Sequence, residues 1–314
     1  YFLTGEMIHE PSEFSTTQLM DVGSGKISSA VCEKMGISET LFCGTGSHGE
    51  RIGYLREDIQ REIGADYEIP VICVPSHDTA SAVAAIPVQE KDFGFISSGT
   101  WSLIGTELDA PARGREVREA GLTNEVGAFG KITLLKNSAG MFVVNCLKKE
   151  YEFEKGETVS WEEISRLAEA CGQAEKADLN DGVFFHPASM SEAMRRYLKE
   201  KNHVEGPMDW GLLFRAFYES LASAYAETIR EIQKATGKNL ERIYIVGGGS
   251  SSRVLLRLMS ESIGKPVVVC YGESTSMGNL AAQVKYRHPE YTLEDLRNII
   301  RNSYRTEVIE PERG

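Results

Sequence analysis

The order of the predicted strands and helices after residue 88 constrains the fold of this chain most strongly. Apolar runs at residues 93–97, 101–107 and 131–136 are separated by glycine-containing segments, which predicts three adjoining, mostly antiparallel strands. Residues 243–246 and 266–270 are apolar, β-branched runs, and a helical pattern follows each of them. A βαβα unit of this kind implies parallel strands joined by a right-handed crossover. We therefore predict an α/β domain in which antiparallel strands precede parallel β/α units.

The part before residue 88 has a different character, which predicts a separate domain. We place the two domains at residues 1–87 and 88–314. Residues 1–69 read as mainly helical and irregular, with short helices broken at Gly23-Ser24-Gly25. A strand then leads through Ser76-His77-Asp78 into a run of small residues, which predicts strand, polar turn and helix in that order. In the second domain we also predict three helices and a short strand, at residues 140–151, 160–170, 209–236 and 182–185 respectively.

Charge and cysteine spacing exclude several classes of function. The chain has 34 basic and 46 acidic side chains and a formal charge of −12, so nucleic acid is not an expected partner. No apolar run approaches the roughly 18 residues that a membrane span needs, so a membrane is not expected either. The six cysteines show no metal-binding or disulfide spacing, which predicts a reduced, cytoplasmic protein.

Three segments could carry chemistry, and each has a structural alternative. Gly247-Gly248-Gly249, between a strand and a helix, would let the backbone approach a phosphate or ribose, or would simply make a tight turn. Ser97-Ser98-Gly99-Thr100 lies at the turn of a predicted hairpin, where hydroxyl and N–H groups could surround a phosphate. Asp78 could cap a helix or act as general base for a hydroxyl nucleophile. These residues do not by themselves decide between the alternatives.

Two other patterns are weaker. Gly23-Ser24-Gly25-Lys26 resembles a phosphate-binding loop but lacks its first glycine and the preceding strand. Cys43 and His48 do not have the spacing of a zinc site, and we predict no metal ligands in this chain.

Taken together, these motifs resemble the FGGY family of carbohydrate kinases, and most closely its rhamnulose-phosphorylating branch, over nearly the whole chain. The resemblance implies an actin-like (ribonuclease H-like) ATPase fold. It makes Asp78 the catalytic base, within the segment His77-Asp78-Thr79, and it makes His77, Thr79 and Asn137 sugar-binding residues. Asn137 could alternatively cap a helix. The ATP-binding positions that it implies are Thr100, Asn145, Gly247, Gly248 and Gly249.

The sequence also departs from the family's pattern. Asn145 replaces a glutamine, Ser252 replaces an asparagine, and Val126 replaces a glycine. The phosphate loop and the sugar-contacting segment that open the family's first domain do not precede the matching region. We therefore expect one complete domain and the end of a preceding one, and we expect this chain alone not to phosphorylate sugar.

For the complete enzyme, the resemblance implies transfer of the γ-phosphate of ATP, with Mg²⁺, to the 1-hydroxyl of L-rhamnulose. The expected partners are therefore a small sugar and ATP. The alternatives are a kinase for a related ketose such as L-fuculose, or a non-catalytic nucleotide-binding module in which Asp78 only caps its helix. Oligomeric state is not predicted.

Overall fold

The first part of the chain is built from short elements around two small sheets. The computed structural model of the protein describes residues 1–303 and 305–312. Up to residue 87 the elements are α1 (Pro11–Thr16), β1 (Met20–Asp21), β2 (Lys26–Ile27), α2 (Ser29–Met35), β3 (Arg51–Tyr54), α3 (Glu57–Ile63), β4 (Pro70–Ile72) and α4 (Asp78–Ala84). β1 pairs with β2 and β3 pairs with β4, both antiparallel.

The glycine-rich break at Gly23-Ser24-Gly25 is the turn of the β1–β2 hairpin, so the prediction of helices directly on both sides of it was wrong. The Asp21 carboxylate accepts hydrogen bonds from the backbone N–H groups of Gly23 at 2.9 Å and Ser24 at 2.8 Å. An aspartate side chain that bonds its own turn favours a hairpin over a helix here. It also uses two of the N–H groups that a phosphate loop would offer to an anion.

The second part is organised around one large sheet. Its elements are β5 (Phe93–Ser98), β6 (Trp101–Leu108), α5 (Arg115–Glu119), β7 (Thr123–Val126), β8 (Ile132–Ala139), α6 (Phe142–Lys155), α7 (Trp161–Ala170), α8 (Met190–Asn202), α9 (Trp210–Thr236), β9 (Arg242–Val246), α10 (Arg253–Ile263), β10 (Val267–Tyr271), α11 (Ser274–Arg287), α12 (Leu293–Ser303) and β11 (Arg305–Ile309). The seven strands lie in the order β11-β10-β9-β5-β6-β8-β7.

The directions of β5, β6, β8, β9 and β10 match the prediction, whereas the edge strands β7 and β11 were not predicted, and β11 pairs antiparallel with β10. β5, β6, β8 and β7 are antiparallel neighbours. β9 is parallel to both β5 and β10, as the βαβα pattern predicted. The helix α10 provides the crossover between β9 and β10, since parallel neighbours cannot be joined by a tight turn.

The predicted strand at residues 182–185 was wrong, because residues Gly182–Phe184 form a turn of 3₁₀ helix. The Asp181 carboxylate accepts the Val183 N–H at 3.0 Å, so that donor is not available to a neighbouring strand. Phe184 is buried, whereas Phe185 is half exposed. The apolar run is therefore explained by one buried side chain, that of Phe184, and not by a paired strand.

The sheet is buried on both faces, and alternate residues of its central strands point to opposite sides. Ile96 and Ile245 belong to a large core with α9, whereas Phe95 and Tyr244 belong to a second core with α4. This alternation follows from the two-residue repeat of a strand. α4, which begins at Asp78, therefore lies on the face of the sheet opposite α9.

No helix among the described residues is long and apolar enough to cross a membrane. All six cysteines are free thiols.

Candidate active site

Two cavities meet at the turn between β5 and β6. The first, which we call the Asp78 cleft, has a volume of about 510 Å³ and is lined by Asp78, Thr79, Ser97, Gly99, Thr100, Trp101, Leu103 and Asn137. The second, the Asn145 cavity, has a volume of about 760 Å³ and is lined by residues of α6, α7, α9 and the loop after β9. Gly99 and Thr100 line both. A group bound at this turn can therefore be reached from either cavity.

Asp78 is the first residue of α4 and faces the Asp78 cleft. Its side chain is 80% exposed. One carboxylate oxygen accepts hydrogen bonds from the backbone N–H of Thr79 at 2.6 Å and from the Thr79 hydroxyl at 3.2 Å. The other oxygen makes no hydrogen bond with the described residues. Asp78 thus bonds an N–H group of its own helix and still has an oxygen open to a ligand, so the capping and catalytic roles are compatible.

His77 supports this end of α4. Its backbone N–H donates to the Ser12 hydroxyl at 3.1 Å, and its Nδ1 lies 3.9 Å from a carboxylate oxygen of Asp78. Burial raises the pKa of the nearby Glu125 carboxyl, an effect that the charge of His77 opposes. Glu125 was not among the predicted site residues, and only its proximity to His77 in the fold connects it to them.

The β5–β6 turn is held from two directions. From the core, the hydroxyl of Tyr225 contacts the hydroxyls of Ser98, at 3.1 Å, and Ser102, on either side of the turn. From α6, the N–H of Met141 donates to the carbonyl of Gly99 at 2.9 Å. The exposed residue Thr100 therefore lies on a well-supported turn.

Gly140 permits this close approach of α6 to the turn. A Cβ at residue 140 would lie 2.6 Å from the carbonyl oxygen of Thr100, well inside van der Waals contact. Any larger residue would move the turn or the start of α6. Glycine at this position is thus explained by packing against the turn.

Asn137 lies within β8, opposite Leu103 in the strand register, and its exposed side chain lines the Asp78 cleft. The alternative in which Asn137 caps a helix was wrong, because the next helix begins five residues later at Phe142. Trp101 and Leu103 line the same cleft from β6, and neither was predicted as a site residue. Their spacing of two on a strand could have indicated that they share a face.

The predicted nucleotide positions divide into two groups. Thr100, Asn145 and Gly248 line the Asn145 cavity together. Gly247 and Gly249 do not, and they pack against β5 instead. Gly247 has a positive φ of +84°, and a Cβ there would lie 2.6 Å from the Ser98 carbonyl oxygen. The tight-turn alternative therefore describes Gly247 and Gly249, whereas Gly248 lines the cavity, where contact with a nucleotide stays a prediction.

One face of α7 closes the far side of the Asn145 cavity. Trp161, Ser165 and Glu169, spaced four residues apart, line it, and Ile164 and Ala168 of the same helix are buried in the large core. Ser252, at the start of α10, and Tyr218, on α9, complete the wall. These residues were not assigned to the site from the sequence, because only the packing of α7, α9 and α10 brings them together.

α11 packs directly on α4, at the helix that begins with Asp78. A Cβ at Gly278 would overlap the carbonyl oxygen of Ser81 and lie 2.6 Å from its carbonyl carbon. The Thr275 hydroxyl donates to the backbone carbonyl of Asp78 at 3.3 Å. The position of Asp78 relative to the sheet therefore depends on this helix crossing.

Neither of the two weaker motifs, Gly23-Ser24-Gly25-Lys26 and the pair Cys43 and His48, lines the Asp78 cleft or the Asn145 cavity. His48 bonds the Glu10 carboxylate through Nε2 and accepts the Phe129 N–H at Nδ1, at 3.1 Å. Within residues 1–303 and 305–312, no three His, Cys, Asp or Glu side chains are grouped so that they could hold a metal ion.

Comparison with known families gives matches along almost the whole chain. The model of the FGGY family of carbohydrate kinases, C-terminal domain, matches residues 94–285, and the N-terminal domain model of the same family matches residues 1–85. Rhamnulokinase of Bacteroides thetaiotaomicron is 33% identical over 313 residues, which are 99% of this chain and 63% of the relative. Rhamnulokinase of Bacillus subtilis is 33% identical over 318 residues, with the same coverage of 99% and 63%. The chain thus spans a little under two thirds of these curated relatives.

Solved structures resemble the fold. A ligand-bound xylulose kinase from Lactobacillus acidophilus aligns with a TM-score of 0.76 at 14% identity, over 99% of this chain and 61% of that one. Plasmodium falciparum glycerol kinase with ADP aligns with a TM-score of 0.75 at 16% identity, over 99% and 60%. These likenesses confirm the predicted actin-like fold, and at such identities they show the fold alone.

Proposed function

The chain belongs to the FGGY family of carbohydrate kinases, and from this premise we propose that it contributes the catalytic base and the nucleotide cavity of an L-rhamnulose kinase. The reaction would transfer the γ-phosphate of ATP to the 1-hydroxyl of the ketose. The observation that carries the proposal is the turn at Gly99 and Thr100, which lines both cavities while Asp78 lines only one. This arrangement suits a sugar beside Asp78, a nucleotide beside Asn145, and a transferred group between them.

In this proposal, Asp78 takes the proton of the 1-hydroxyl. The hydroxyl oxygen then bonds to the γ-phosphorus while the bond to the β-phosphate oxygen breaks, and ADP leaves. Asp78 is suited to this role because one of its oxygens faces the cleft and its helix is anchored at His77 and Thr275. Most of the rate acceleration in phosphoryl transfer comes from positioning and electrostatic stabilisation, for which the Thr100 turn is placed.

We assign sugar contacts to His77, Thr79 and Asn137. Thr79 and Asn137 line the Asp78 cleft from opposite sides, one from α4 and one from β8. His77 lies beside Asp78 and would contact the sugar from the end of α4. Together these three residues would orient the ketose so that its hydroxyl meets the Asp78 carboxylate.

We assign nucleotide contacts to Thr100, Asn145 and the loop Gly247-Gly248-Gly249. Mg²⁺ in kinases usually binds substrate phosphates and only one or two carboxylates. The Asp78 cleft contains a single carboxylate, so this donor set fits an ion that arrives with the nucleotide and is held by phosphate oxygens. When bound, the ion would neutralise charge on the transferred group.

The free cysteines and acidic charge are consistent with a cytoplasmic protein, which we also propose.

A coupled ADP-release assay on the complete product of the gene that encodes this chain tests the proposal. We expect kcat of roughly 1–100 s⁻¹ with L-rhamnulose and ATP, the ordinary range of kinases, and lower kcat/KM with L-fuculose and D-xylulose. Phosphorus NMR should identify a 1-phosphate. Binding of ADP without turnover of any sugar would favour the non-catalytic nucleotide-binding module instead. A preference for L-fuculose would correct the substrate and leave the reaction class in place.

The same assay on the 314-residue chain alone addresses a separate prediction. We expect little or no sugar phosphorylation from it, because the family holds ATP between phosphate loops from two domains, as the motif resemblance implies. Turnover of ordinary kinase magnitude by this chain would contradict that expectation without affecting the proposed chemistry.

A further inference from the structure

A third cavity, which we call the Trp101 pocket, shares Thr100 and Trp101 with the Asp78 cleft. Its volume is about 170 Å³, well below the roughly 300–1,000 Å³ of a site that encloses a whole small-molecule ligand. Its lining is mainly apolar and includes Trp101, Phe142, Val143, Leu179, Phe184 and Phe185. The pocket is therefore suited to hold an apolar part of a ligand whose remainder lies in a neighbouring cavity.

The lining residues indicate which neighbouring cavity holds that remainder. At the start of α6, Phe142 and Val143 line the Trp101 pocket, whereas Met141 and Asn145 line the Asn145 cavity. Trp101 lines the pocket and the Asp78 cleft but not the Asn145 cavity. A group in the pocket would therefore be continuous with the sugar that we assign to the Asp78 cleft, and not with the nucleotide.

Two large aromatic side chains are exposed at the pocket. Trp101 is 53% exposed and Phe185 is 50% exposed, and their ring centroids lie 5.9 Å apart. Exposed apolar surface that is grouped at a cavity is typical of a ligand-binding site. An apolar group of a ligand would cover part of both rings.

The loop after Phe185 turns sharply at the pocket. His186 has a φ of +54°, in the left-handed region that few residues other than glycine adopt. Its ring lies edge-on to that of Phe142, with the centroids 5.5 Å apart. This contact joins the loop to α6, so that Phe184 is buried while Phe185 remains exposed at the pocket.

We propose that the Trp101 pocket receives the C6 methyl group of a 6-deoxyketose and that Phe185 is a specificity-determining residue. This inference rests on the proposed function. A methyl group makes no hydrogen bonds, so it can be buried against aromatic rings without leaving a polar group unpaired. The hydroxyl groups of the same sugar would stay in the Asp78 cleft, which Thr79 and Asn137 line.

Two sugars that differ only in this methyl group test the proposal with the complete gene product, since L-xylulose has a hydrogen where L-rhamnulose has the methyl group. We expect the wild-type kcat/KM to be roughly 10- to 200-fold higher for L-rhamnulose, the range for one such group in an apolar pocket. In Phe185→Ala this ratio should fall by roughly 5- to 30-fold. The fall should come from a higher KM for L-rhamnulose at nearly constant kcat, because the contact is the same in the ground state and the transition state.

Phe153→Ala is the matched control. Phe153 is a 90% exposed aromatic residue of α6 that lines none of the three cavities. Its substitution should leave the ratio of the two kcat/KM values unchanged. The melting temperatures of both variants should stay close to that of the wild type, because both side chains are at least half exposed.

Two outcomes would overturn the inference. An unchanged ratio in Phe185→Ala would show that the methyl group does not lie against this side chain. Equal losses of kcat/KM with both sugars would show that Phe185 supports the site as a whole and does not distinguish the C6 end of the sugar.

Failure of the proposed function gives a different pattern. If the wild type prefers L-fuculose, which also has a C6 methyl group, and Phe185→Ala lowers kcat/KM for L-fuculose but not for L-xylulose, the inference stands and the assigned sugar is wrong. If L-rhamnulose is phosphorylated without any dependence on Phe185, the proposed function stands and the inference is wrong. If no ketose is phosphorylated, both are wrong.

Discussion

The two sides of the Asp78 cleft are held in position by different means. On one side, Asp78 begins a helix of seven residues and its carboxylate is 80% exposed. That helix is located by backbone packing, where Gly278 of α11 meets Ser81, and by one hydrogen bond from Thr275. On the other side, Thr100 projects from the turn between two central strands of the seven-stranded sheet, with Tyr225 beneath it.

On the Asp78 side, the carboxyl that we propose acts in catalysis is therefore distinct from the helix packing that holds it in position. The turn at Thr100 is tied to the core by side-chain hydrogen bonds and to α6 by backbone bonds, so it resists displacement. Asp78 depends on how α4 sits against α11 and on the contacts of the first 87 residues with the sheet. We therefore expect changes in that packing to alter activity as well as stability, whereas a change of the Asp78 carboxyl alone alters only activity.

The largest expected effect is that of Asp78→Asn in the complete gene product. Asparagine keeps the oxygen that accepts the Thr79 N–H, but it cannot take a proton from the sugar. We expect kcat to fall by roughly 10²- to 10⁴-fold, with little change in KM for sugar or in the free energy of unfolding. Asp66→Asn, an exposed change in the loop before β4, is the control. Near-normal kcat in Asp78→Asn would remove Asp78 from the mechanism.

Gly278→Ala tests whether α11 positions Asp78. The added methyl group would overlap the Ser81 carbonyl, so α4 and α11 must move apart. We expect a loss of about 3 kcal/mol in the free energy of unfolding, at the upper end of ordinary overpacking, although alanine favours helix. We also expect kcat to fall by at least about tenfold, because small displacements of a catalytic group are costly.

Urea unfolding and steady-state kinetics of Gly278→Ala should be compared with those of Ser276→Ala, an exposed substitution in the same helix. Equal stability and activity in Gly278→Ala and Ser276→Ala would show that the helix crossing tolerates a methyl group and does not position Asp78.

A substitution of Glu10 tests how much the contacts between the first and second parts of the chain contribute to the free energy of unfolding. Burial alone would raise the pKa of Glu10, but hydrogen bonds from His48, Ser12 and Glu13 outweigh it and hold the pKa at about 2. Through His48, Glu10 is also linked to the backbone of Phe129 in the second part. Because the folded-state pKa lies below the usual value of 4.5, the stabilisation is present above pH 4.5 and is lost as pH falls towards 2.

We therefore expect Glu10→Gln to lower the free energy of unfolding by about 1–2 kcal/mol at pH 7, since solvent screens part of the interaction, and the difference from the wild type to shrink progressively below pH 4.5. Urea unfolding at several pH values measures this difference. The exposed substitution Glu62→Gln is the control. A difference that stays constant down to pH 2.5 would contradict the role given to the ionised carboxylate.

The smallest expected effect is that of Thr275→Val. This change removes one hydrogen bond of 3.3 Å to the Asp78 carbonyl and nearly preserves side-chain shape. We expect a loss of about 0.5–1 kcal/mol in the free energy of unfolding and a decrease in kcat of no more than a few fold. Thr16→Val, which removes an exposed hydroxyl from α1, is the matched control. A decrease in kcat as large as that of Gly278→Ala would show that this hydrogen bond, and not the helix packing, positions Asp78.

Much of the sheet could be predicted because the sequence patterns that indicate its strands lie within each strand and its adjoining turns. The alternation of apolar residues places Phe95 and Ile96 on opposite faces, and glycine-containing segments mark the ends of the antiparallel strands. Asp78 was predicted at the junction between a polar turn and a helix for the same reason. The errors at Gly23-Ser24-Gly25 and at Gly182–Phe184 occur where an aspartate side chain bonds the backbone and ends the expected pattern.

The sequence by itself determined the family, five of the seven strands of the large sheet and the types of side chain available to the site. Only the tertiary structure decided that Thr100 lies in both cavities and that Gly278 meets Ser81. These features join residues far apart in the chain, and each depends on distances of a few ångströms between separately folded elements. Periodicity and local propensity reflect the neighbours within one helix or strand, so they carry no information about such contacts.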